Sequence, residues 1–168
     1  MAVAVESKAE RLAMLWELHH ERLYRLARRL APSLEDALDL VQETFLRAAG
    51  RPGSIPVGHS QEEAWLVRVL VNIRRDQWRK TSVLARRGVG ALIGTEVRDP
   101  EPAFIAKAAV WQALDILTPR RRAVVVLYEL EGLAIPAIAA LLGISPITVR
   151  WHLARGRRNL KLALGDFR

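Results

Sequence analysis

Apolar positions recur along this chain at the three- and four-residue intervals of a helix, and few segments show the two-residue alternation of a strand. The first run predicts a helix from about Ala9 to Leu30. Together with abundant Ala, Leu, Arg and Glu, which favour helices, the pattern predicts an all-α protein. The apolar residues on the expected buried side of the first helix are Leu12, either Leu15 or Trp16, Leu23, Leu26 and Leu30.

A second helix is predicted directly after Ala31-Pro32, because proline disfavours helical geometry in the residue before it. Ser33 is a suitable N-cap, and Asp36 lies three residues later as a capping-box-like partner. The helix ends near Gly50. Its apolar row follows the spacing i, i+4, i+7, i+11 and consists of Leu34, Leu38, Val41 and Phe45.

The segment Gly50–Ser60 is rich in Gly and Pro and is predicted to be a loop, followed by a third helix from about Glu62 to Lys80. From about Thr81 to Pro102 the helical pattern ends, and we expect a flexible linker between two small domains. The expected boundaries are a domain at 1–82, the linker at 83–102 and a second domain at 103–168. In an alternative arrangement, the linker packs as an extra helix against the first domain, because Val83–Arg87 could extend the third helix.

Helices are predicted to resume at about Ala103–Leu117, and Thr118-Pro119 reads as the N-cap and first residue of a helix reaching about Glu131. Two short helices follow, at about Ile135–Leu142 and Pro146–Leu164. This pair has the layout of a helix-turn-helix motif. The small residue, the turn glycine and the apolar lock stand at the fifth, ninth and fifteenth places from Ile135, as Ala139, Gly143 and Val149.

The last helix has two distinct faces. Ser145-Pro146 supplies its cap and its first residue. Such a helix meets base edges in a major groove with the N-terminal part of its outer face, so this face predicts DNA binding. A helical hairpin with a solvated basic face is the alternative. The expected inward residues are Val149, Leu153, Gly156 and Leu160, and the expected outward residues are Ile147, Trp151, Ala154, Arg155 and Arg158.

The net charge of +8 favours a polyanionic partner, and the positions of the charged residues indicate which helix faces would bind a partner. On the third helix, a stripe of Arg68, Asn72, Arg75 and Arg79 is flanked by Trp65 and Trp78. Cations that follow phosphates and rings that stack on unpaired bases suit single-stranded DNA. An ordinary amphipathic helix with core tryptophans is equally compatible with the pattern. The apolar residues opposite the stripe are Leu66, Val69 or Leu70, and Ile73.

The second helix carries an acidic face, formed by Asp36, Asp39 and Glu43 with Gln42 beside them. DNA would be repelled by this face, so a basic protein surface is the functional partner that it suits. Magnesium binding and a merely solvated helix are the alternatives.

Several function classes find no support in the sequence. There is no cysteine, the four histidines show no zinc-ligand spacing, and neither GxxxxGK[ST] nor GxSxG occurs. We therefore expect no catalytic residues, no metal site and no cofactor. The sequence shows neither a signal peptide nor a membrane-spanning apolar run, so we expect a soluble cytoplasmic protein without membrane insertion.

Three segments together resemble the extracytoplasmic-function (ECF) group of bacterial RNA polymerase sigma factors. LYRLARRLAPSLEDALDLVQETFLRA (Leu23–Ala48) resembles the polymerase-binding helices, and AWLVRVLVNIRRDQWRK (Ala64–Lys80) the promoter-melting helix of region 2. The stretch from Leu117 to Leu164 resembles region 4, which contains the helix-turn-helix. Both domains occur in the family's order. The resemblance implies binding to RNA polymerase core and to double- and single-stranded promoter DNA.

The resemblance also implies residue roles. Contacts with the clamp helices of the polymerase's largest subunit fall to Asp36, Asp39, Gln42 and Glu43. Contacts with the −10 element fall to Arg68, Asn72, Arg75, Asp76, Trp78 and Arg79. Contacts with the −35 element fall to Ser145, Ile147, Thr148, Arg150, Trp151, Arg155 and Arg158.

Three features depart from the family pattern. The loop Gly50–Ser60 lacks aromatic and Ser-rich character, Pro136-Ala137 replaces an acidic pair, and Trp151-His152 replaces small and basic residues. The competing function is a helix-turn-helix regulator without a polymerase role, which leaves the two N-terminal segments unexplained. An RNA-processing enzyme would need a catalytic constellation that the sequence does not show. The sequence does not decide whether an anti-sigma protein binds this chain, nor which promoters it reads.

Overall fold

The computed structural model describes residues 7–86 and 110–165, with the side chains of 84–86 left aside. All regular secondary structure in these ranges is helical, which confirms the predicted all-α class. The chain divides into two compact units, Met1–Ile73 and Arg74–Arg168, and the division falls inside a helix. The predicted domain boundaries stay predictions, and residues 87–102 of the predicted linker lie outside the described part.

Helix α1 spans Lys8–Leu30 and begins with a capping box. The Glu10 backbone N–H donates to Ser7 Oγ (3.1 Å), and the Ser7 N–H donates to the Glu10 carboxylate (2.7 Å). Of the two candidates for the buried face, Leu15 is buried and Trp16 is 42% exposed. The helix ends at Ala31, which has the extended conformation expected before Pro32.

Helix α2 spans Leu34–Gly50, and Ser33 caps it by accepting the Asp36 N–H at 3.0 Å, as predicted. The apolar row expected on its buried side holds only in part. Val41 and Phe45 are buried, whereas Leu34 is 39% and Leu38 52% exposed. The face that packs inward is rotated towards smaller residues, which let the neighbouring helix approach closely. This buried face consists of Ala37, Leu40, Val41, Thr44, Phe45 and Ala48.

Helix α3 spans His59–Arg86, and a short 3₁₀ turn at Pro52–Ser54 lies in the loop before it. The helix starts earlier than predicted and continues past Lys80, so residues 81–86 of the predicted linker are helical. This is the helix extension on which the alternative depends, whereas packing of the linker against the first domain stays a prediction. Leu70 rather than Val69 is the fully buried residue of that pair. The buried apolar residues of α3 are Leu66, Val67, Leu70, Val71 and Ile73.

In the second unit, a helical segment at 110–115 precedes α4 (Pro119–Val125), α5 (Ile135–Leu142) and α6 (Pro146–Gly165). Thr118 and Pro119 take the predicted N-cap and first positions. A π-helical turn, Val126–Leu130, continues α4 to the predicted end near Glu131. The core of this unit is formed mainly by Ala123, Val124, Val125, Val126, Leu127, Ile138 and Val149.

A buried cation lies inside this unit. Arg122 is 3% exposed, donates to Asp115 and lies 5.9 Å from the Trp111 ring centroid. Burial lowers the pKa of Arg122, while the hydrogen bond and the charge of Asp115 act in the opposite direction. A buried guanidinium needs such a partner, since an unpaired buried charge is strongly destabilising.

Among the helices in the described ranges, none is by itself long and apolar enough to cross a membrane. The bent pair α5 and α6 meets the length and composition criteria only when its two helices are taken together.

Candidate functional site

The turn between α5 and α6 has the geometry that the helix-turn-helix pattern predicts. Gly143 adopts a left-handed conformation (φ 64°, ψ 41°), which glycine reaches without steric cost. The Ile144 N–H donates to the Ala139 carbonyl oxygen at 3.0 Å, and the two helices meet at 106°. Ser145 Oγ accepts the Thr148 N–H at 3.1 Å and fixes the start of α6.

The two faces of α6 agree with the prediction. Val149, Leu153 and Gly156 are buried and Leu160 is half-buried, so the inward stripe is confirmed. On the opposite side Ile147 is 75% exposed and Trp151 53% exposed. Thr148 is half-buried. The remaining predicted outward or DNA-contacting residues of this helix are exposed, namely Ser145, Arg150, Ala154, Arg155 and Arg158.

Trp151 is held within a cationic surface. The guanidinium carbons of Arg121 and Arg155 lie 5.7 and 5.8 Å from its ring centroid, within range of a cation–π interaction. Burial and the nearby charge of Arg155 lower the pKa of Arg121. Sequence reasoning missed Arg121, because it lies on α4 and only the packed helices bring it to the outer face of α6.

Another cationic residue of α6, Arg157, already has a partner within the second unit. Arg157 Nε donates to Glu129 at 2.7 Å, and its guanidinium lies 5.3 Å from the Tyr128 ring centroid. The hydrogen bond to Glu129 raises the pKa of Arg157. Arg157 therefore anchors α6 to the turn after α4, whereas Arg155 and Arg158 stay on the outer face.

His152 follows Trp151 and is partly buried. Its Nδ1 is buried and makes no hydrogen bond with the described residues. Burial, then the charges of Arg121 and Arg120, lower the pKa of His152 from its ordinary 6.5. The neutral imidazole is thus the form that the folded unit favours.

The predicted cationic stripe of α3 is solvent-accessible along its length. Arg68 and Arg79 are exposed, and Asn72, Arg75 and Trp78 are half-buried. Asp76 accepts from Arg75 Nε and Nη2 at 3.2 and 3.1 Å. This pairing reduces the local positive charge and fixes the direction of the Arg75 side chain.

On α2, the four predicted contact residues are not equivalent. Asp39 and Gln42 are exposed, and Glu43 pairs with Arg47 at 3.1 Å on the surface. Asp36 accepts from Ser33 Oγ at 2.6 Å, so its carboxylate serves the helix cap. Exposed Leu38, beside Asp39, adds apolar area to this face, which we call the α2 surface and define as Leu38, Asp39, Gln42, Glu43 and Leu46.

One cluster was not predicted from the sequence at all. His19 of α1 and His59 and Glu63 of α3 place potential ligand atoms within 4.8 Å of one another. His59 and Glu63 share a helix face at i and i+4, but His19 lies 40 positions before His59, so no local spacing reveals the group.

Comparison with known proteins gives two family matches in sequence order. Residues 15–83 match the family model described as Sigma-70 region 2, and residues 107–160 match that described as Sigma-70, region 4. Their order is that of the predicted domains.

Individual relatives are similar over most of this chain. The chain is 36% identical to the ECF RNA polymerase sigma factor SigE of Mycolicibacterium smegmatis over 85% of its length, but spans only 57% of that relative. It is 34% identical to the RNA polymerase sigma-E factor of Streptomyces avermitilis, covering 84% of this chain and 78% of the relative. It is 32% identical to the ECF RNA polymerase sigma factor SigM of Mycobacterium tuberculosis, covering 90% and 76%.

Solved structures similar to this chain include two complexes. One is the sigma factor RpoE in complex with the anti-sigma factor NepR from Bartonella quintana, with a TM-score of 0.73 and 25% identity over 95% of this chain and 99% of that one. The other is CnrH in complex with the cytosolic domain of CnrY, with a TM-score of 0.63 and 26% identity over 94% and 90%.

Proposed function

The chain belongs to the extracytoplasmic-function (ECF) group of RNA polymerase sigma factors, and we propose that three of its helical surfaces divide the work of transcription initiation. It is an alternative sigma factor that binds RNA polymerase core and directs promoter-specific initiation. A helix-turn-helix regulator without a polymerase role is not favoured, because the region 2 match accounts for the N-terminal half.

The α2 surface is the proposed contact with polymerase core, through the clamp helices of the largest subunit. The observation that carries this assignment is the separation of charge. Residues 34–46 contain acids and no base, within a chain of net charge +8. Exposed Leu38 and Leu46 beside Asp39 and Glu43 combine apolar area with negative charge, which suits a basic protein surface and not DNA.

The stripe of α3 is the proposed contact with the melted −10 element. Arg68 and Arg79 would follow phosphates, and Asn72 offers an amide to base edges. Trp78 is half-buried, so part of its ring is accessible for stacking. Arg75 and Asp76 act as a pair: the carboxylate holds the guanidinium in place, and the net charge that this pair presents to DNA is small.

The outer face of α6 is the proposed reader of the −35 element. Arg150, Arg155 and Arg158 are exposed on it, and Ser145 and Thr148 lie at its N-terminal end, where a recognition helix enters the major groove. Trp151, beside Arg121 and Arg155, offers a large apolar contact such as a thymine methyl group accepts.

The role that we propose is a binding role carried out in the cytoplasm, where polymerase and promoter DNA meet, and we assign no catalytic step to it. The anti-sigma factor NepR binds the similar sigma factor RpoE, so we also propose that an anti-sigma protein controls this chain.

The test of the core-binding assignment is the double variant Asp39→Arg with Glu43→Arg. The two introduced arginines then face a basic partner surface, and this repulsion weakens the binding free energy by several kcal/mol. Co-purification with core polymerase and run-off transcription should therefore be lost. The matched control is Glu17→Arg with Glu21→Arg, which makes the same charge change at exposed positions of α1. Unchanged affinity of the α2 variant for core, with helical content preserved, would refute the assignment.

A further inference from the structure

His19 is a buried polar residue that the proposed function leaves unexplained. Its side chain is 1% exposed, and Nε2 makes no hydrogen bond with the described residues. The nearest acid, Glu62, places Oε2 at 3.5 Å, which is close enough for electrostatic attraction but leaves the nitrogen without a hydrogen bond. Buried polar atoms are normally satisfied, so such a nitrogen calls for a missing partner.

The first turn of α3 brings further ligand groups close to the His19 side chain. The ring of His59 stacks on that of His19, with centroids 4.8 Å apart and planes 18° from parallel. Glu63 lies one turn after His59, and the ligand atoms of the three residues lie within 4.8 Å of one another. Arg22 Nε donates to Glu63 Oε1 at 3.0 Å, which orients this carboxylate.

Two imidazoles and one carboxylate are a donor set that Zn²⁺ accepts, whereas Mg²⁺ and Ca²⁺ prefer oxygen ligands throughout. Bonds of about 2.0–2.2 Å to a shared tetrahedral ion put ligand atoms roughly 3.3 Å apart. The present separations therefore need to shorten. His59 is exposed and Glu63 half-exposed, so their side chains can rotate towards the buried imidazole of His19.

We propose that His19, His59 and Glu63 form a binding site for a Zn²⁺-class transition-metal ion, with water in the fourth position. The charge balance supports a cation here: in the ion pairs described at this cluster, Glu62 and Glu63 bring two carboxylates and Arg22 brings one guanidinium. The bound ion joins the middle of α1 to the first turn of α3, directly after the loop at 51–58. It thereby stabilises the N-terminal unit and holds the start of α3 in place.

The experiment uses the full chain without a histidine tag, freed of metal by a chelator that is then removed. Isothermal titration with ZnCl₂ should show one ion per chain. Thermal unfolding should shift upward with Zn²⁺, because an ion at 100 times its dissociation constant raises the folding equilibrium constant about 100-fold. MgCl₂ at the same concentration should produce no such shift.

The ligand variants decide the assignment. Loss of partners outside the ligand set typically costs about 10–100-fold in metal affinity, so His59→Ala should cost at least that much. Glu63→Gln, which keeps an oxygen for Arg22 but removes the carboxylate charge, should also weaken binding. His20→Ala is the matched control, since this neighbouring histidine on α1 instead contacts the Trp16 carbonyl oxygen at 2.8 Å and should leave the affinity unchanged.

Three results would overturn the proposal. They are the absence of saturable Zn²⁺ binding by the unaltered chain, equal affinity in His59→Ala or Glu63→Gln, and equal loss in His20→Ala. His59 lies on the surface, so its variant should fold, as circular dichroism will show. If it does not fold, the Zn²⁺ affinity of Glu63→Gln alone decides between binding at this cluster and binding elsewhere.

Discussion

At the scale of single residues, substitution of Arg155 distinguishes contacts with DNA bases from contacts with the DNA phosphate backbone. It is exposed on α6 and lies 5.8 Å from the Trp151 ring centroid, so its direction is already constrained. If Arg155 contacts a base, Arg155→Ala should change which −35 sequences the holoenzyme uses, at about 1–3 kcal/mol of discrimination. Run-off transcription on a set of −35 variants measures this.

A phosphate contact by Arg155 would give a different result. All promoters would then weaken together, and the slope of affinity against salt would fall by about one unit. Lys161→Ala, which removes another exposed cation of α6, is the control. No effect of either kind would show that Arg155 does not face the promoter.

His152 makes the second unit sensitive to acid. Its pKa is lowered in the folded state by burial and by Arg121 and Arg120, so below about pH 6.5 the unfolded chain binds a proton that the folded chain resists. Stability is therefore full above that pH and falls as the pH drops through it. His152→Gln should show a smaller loss of Tm between pH 7.5 and pH 5 than the unaltered chain.

The two proteins differ only at residue 152, so the comparison isolates His152. Parallel pH profiles for the two proteins would contradict the expected acid sensitivity.

At the scale of elements, the contact between α4 and α6 depends on a glycine. A Cβ built on Gly156 lies 2.5 Å from Val125 Cγ2 and 3.2 Å from Arg121 Cγ. Replacing a mid-helix glycine by alanine normally gains about 0.5–1 kcal/mol, but overpacking a core costs about 1–3 kcal/mol. Gly156→Ala should therefore destabilise the second unit, as measured by urea unfolding.

Gly165→Ala is the matched control on the same helix, because no atom of the described residues lies within 4 Å of its Cβ position. The added variant Val125→Ala should relieve the clash, so the double variant should be more stable than the sum of the single effects predicts. A stability gain from Gly156→Ala alone would show that α4 and α6 can move apart enough to accept the added methyl group without loss of stability.

The same elements show how far sequence reasoning reaches. The bounds of α5 and the start of α6 were predictable, because a turn glycine and a Ser-Pro cap leave few alternatives. The buried face of α2 was only half predicted. Leu34 and Leu38 form one apolar row of this helix, and Ala37 and Leu40 form another. Only the partner helix decides which of the two rows packs inward.

The residues of the candidate sites were also predictable only in part. Outward residues of α6 follow from helical periodicity, which is local. Arg121 beside Trp151, and His19 beside His59, arise from contacts between separate helices, which no spacing along the chain encodes. The end of α3 was misplaced because Thr81 and Ser82 do not by themselves stop a helix.

At the scale of the whole molecule, the length of the predicted linker limits promoter geometry. Sixteen residues from 87 to 102 can span at most about 53–58 Å, and the helical residues 81–86 add only about 9 Å. Two turns of B-DNA measure about 70 Å. The predicted linker therefore reaches about 62–67 Å, slightly less than two full turns, so it can span only promoter elements somewhat less than two turns apart.

Deleting eight residues, Gly88–Thr95, removes about 26–29 Å of this reach. Transcription from a promoter with the normal spacer should then be lost, and a promoter with a shortened spacer should recover part of it. The matched control replaces the same eight residues by a Gly-Ser sequence of equal length, which keeps the reach and changes the side chains. Since a tether acts through its length, that control should stay active on the normal spacer. Full activity of the deletion on the normal spacer would show that the length of this segment does not set the promoter spacing.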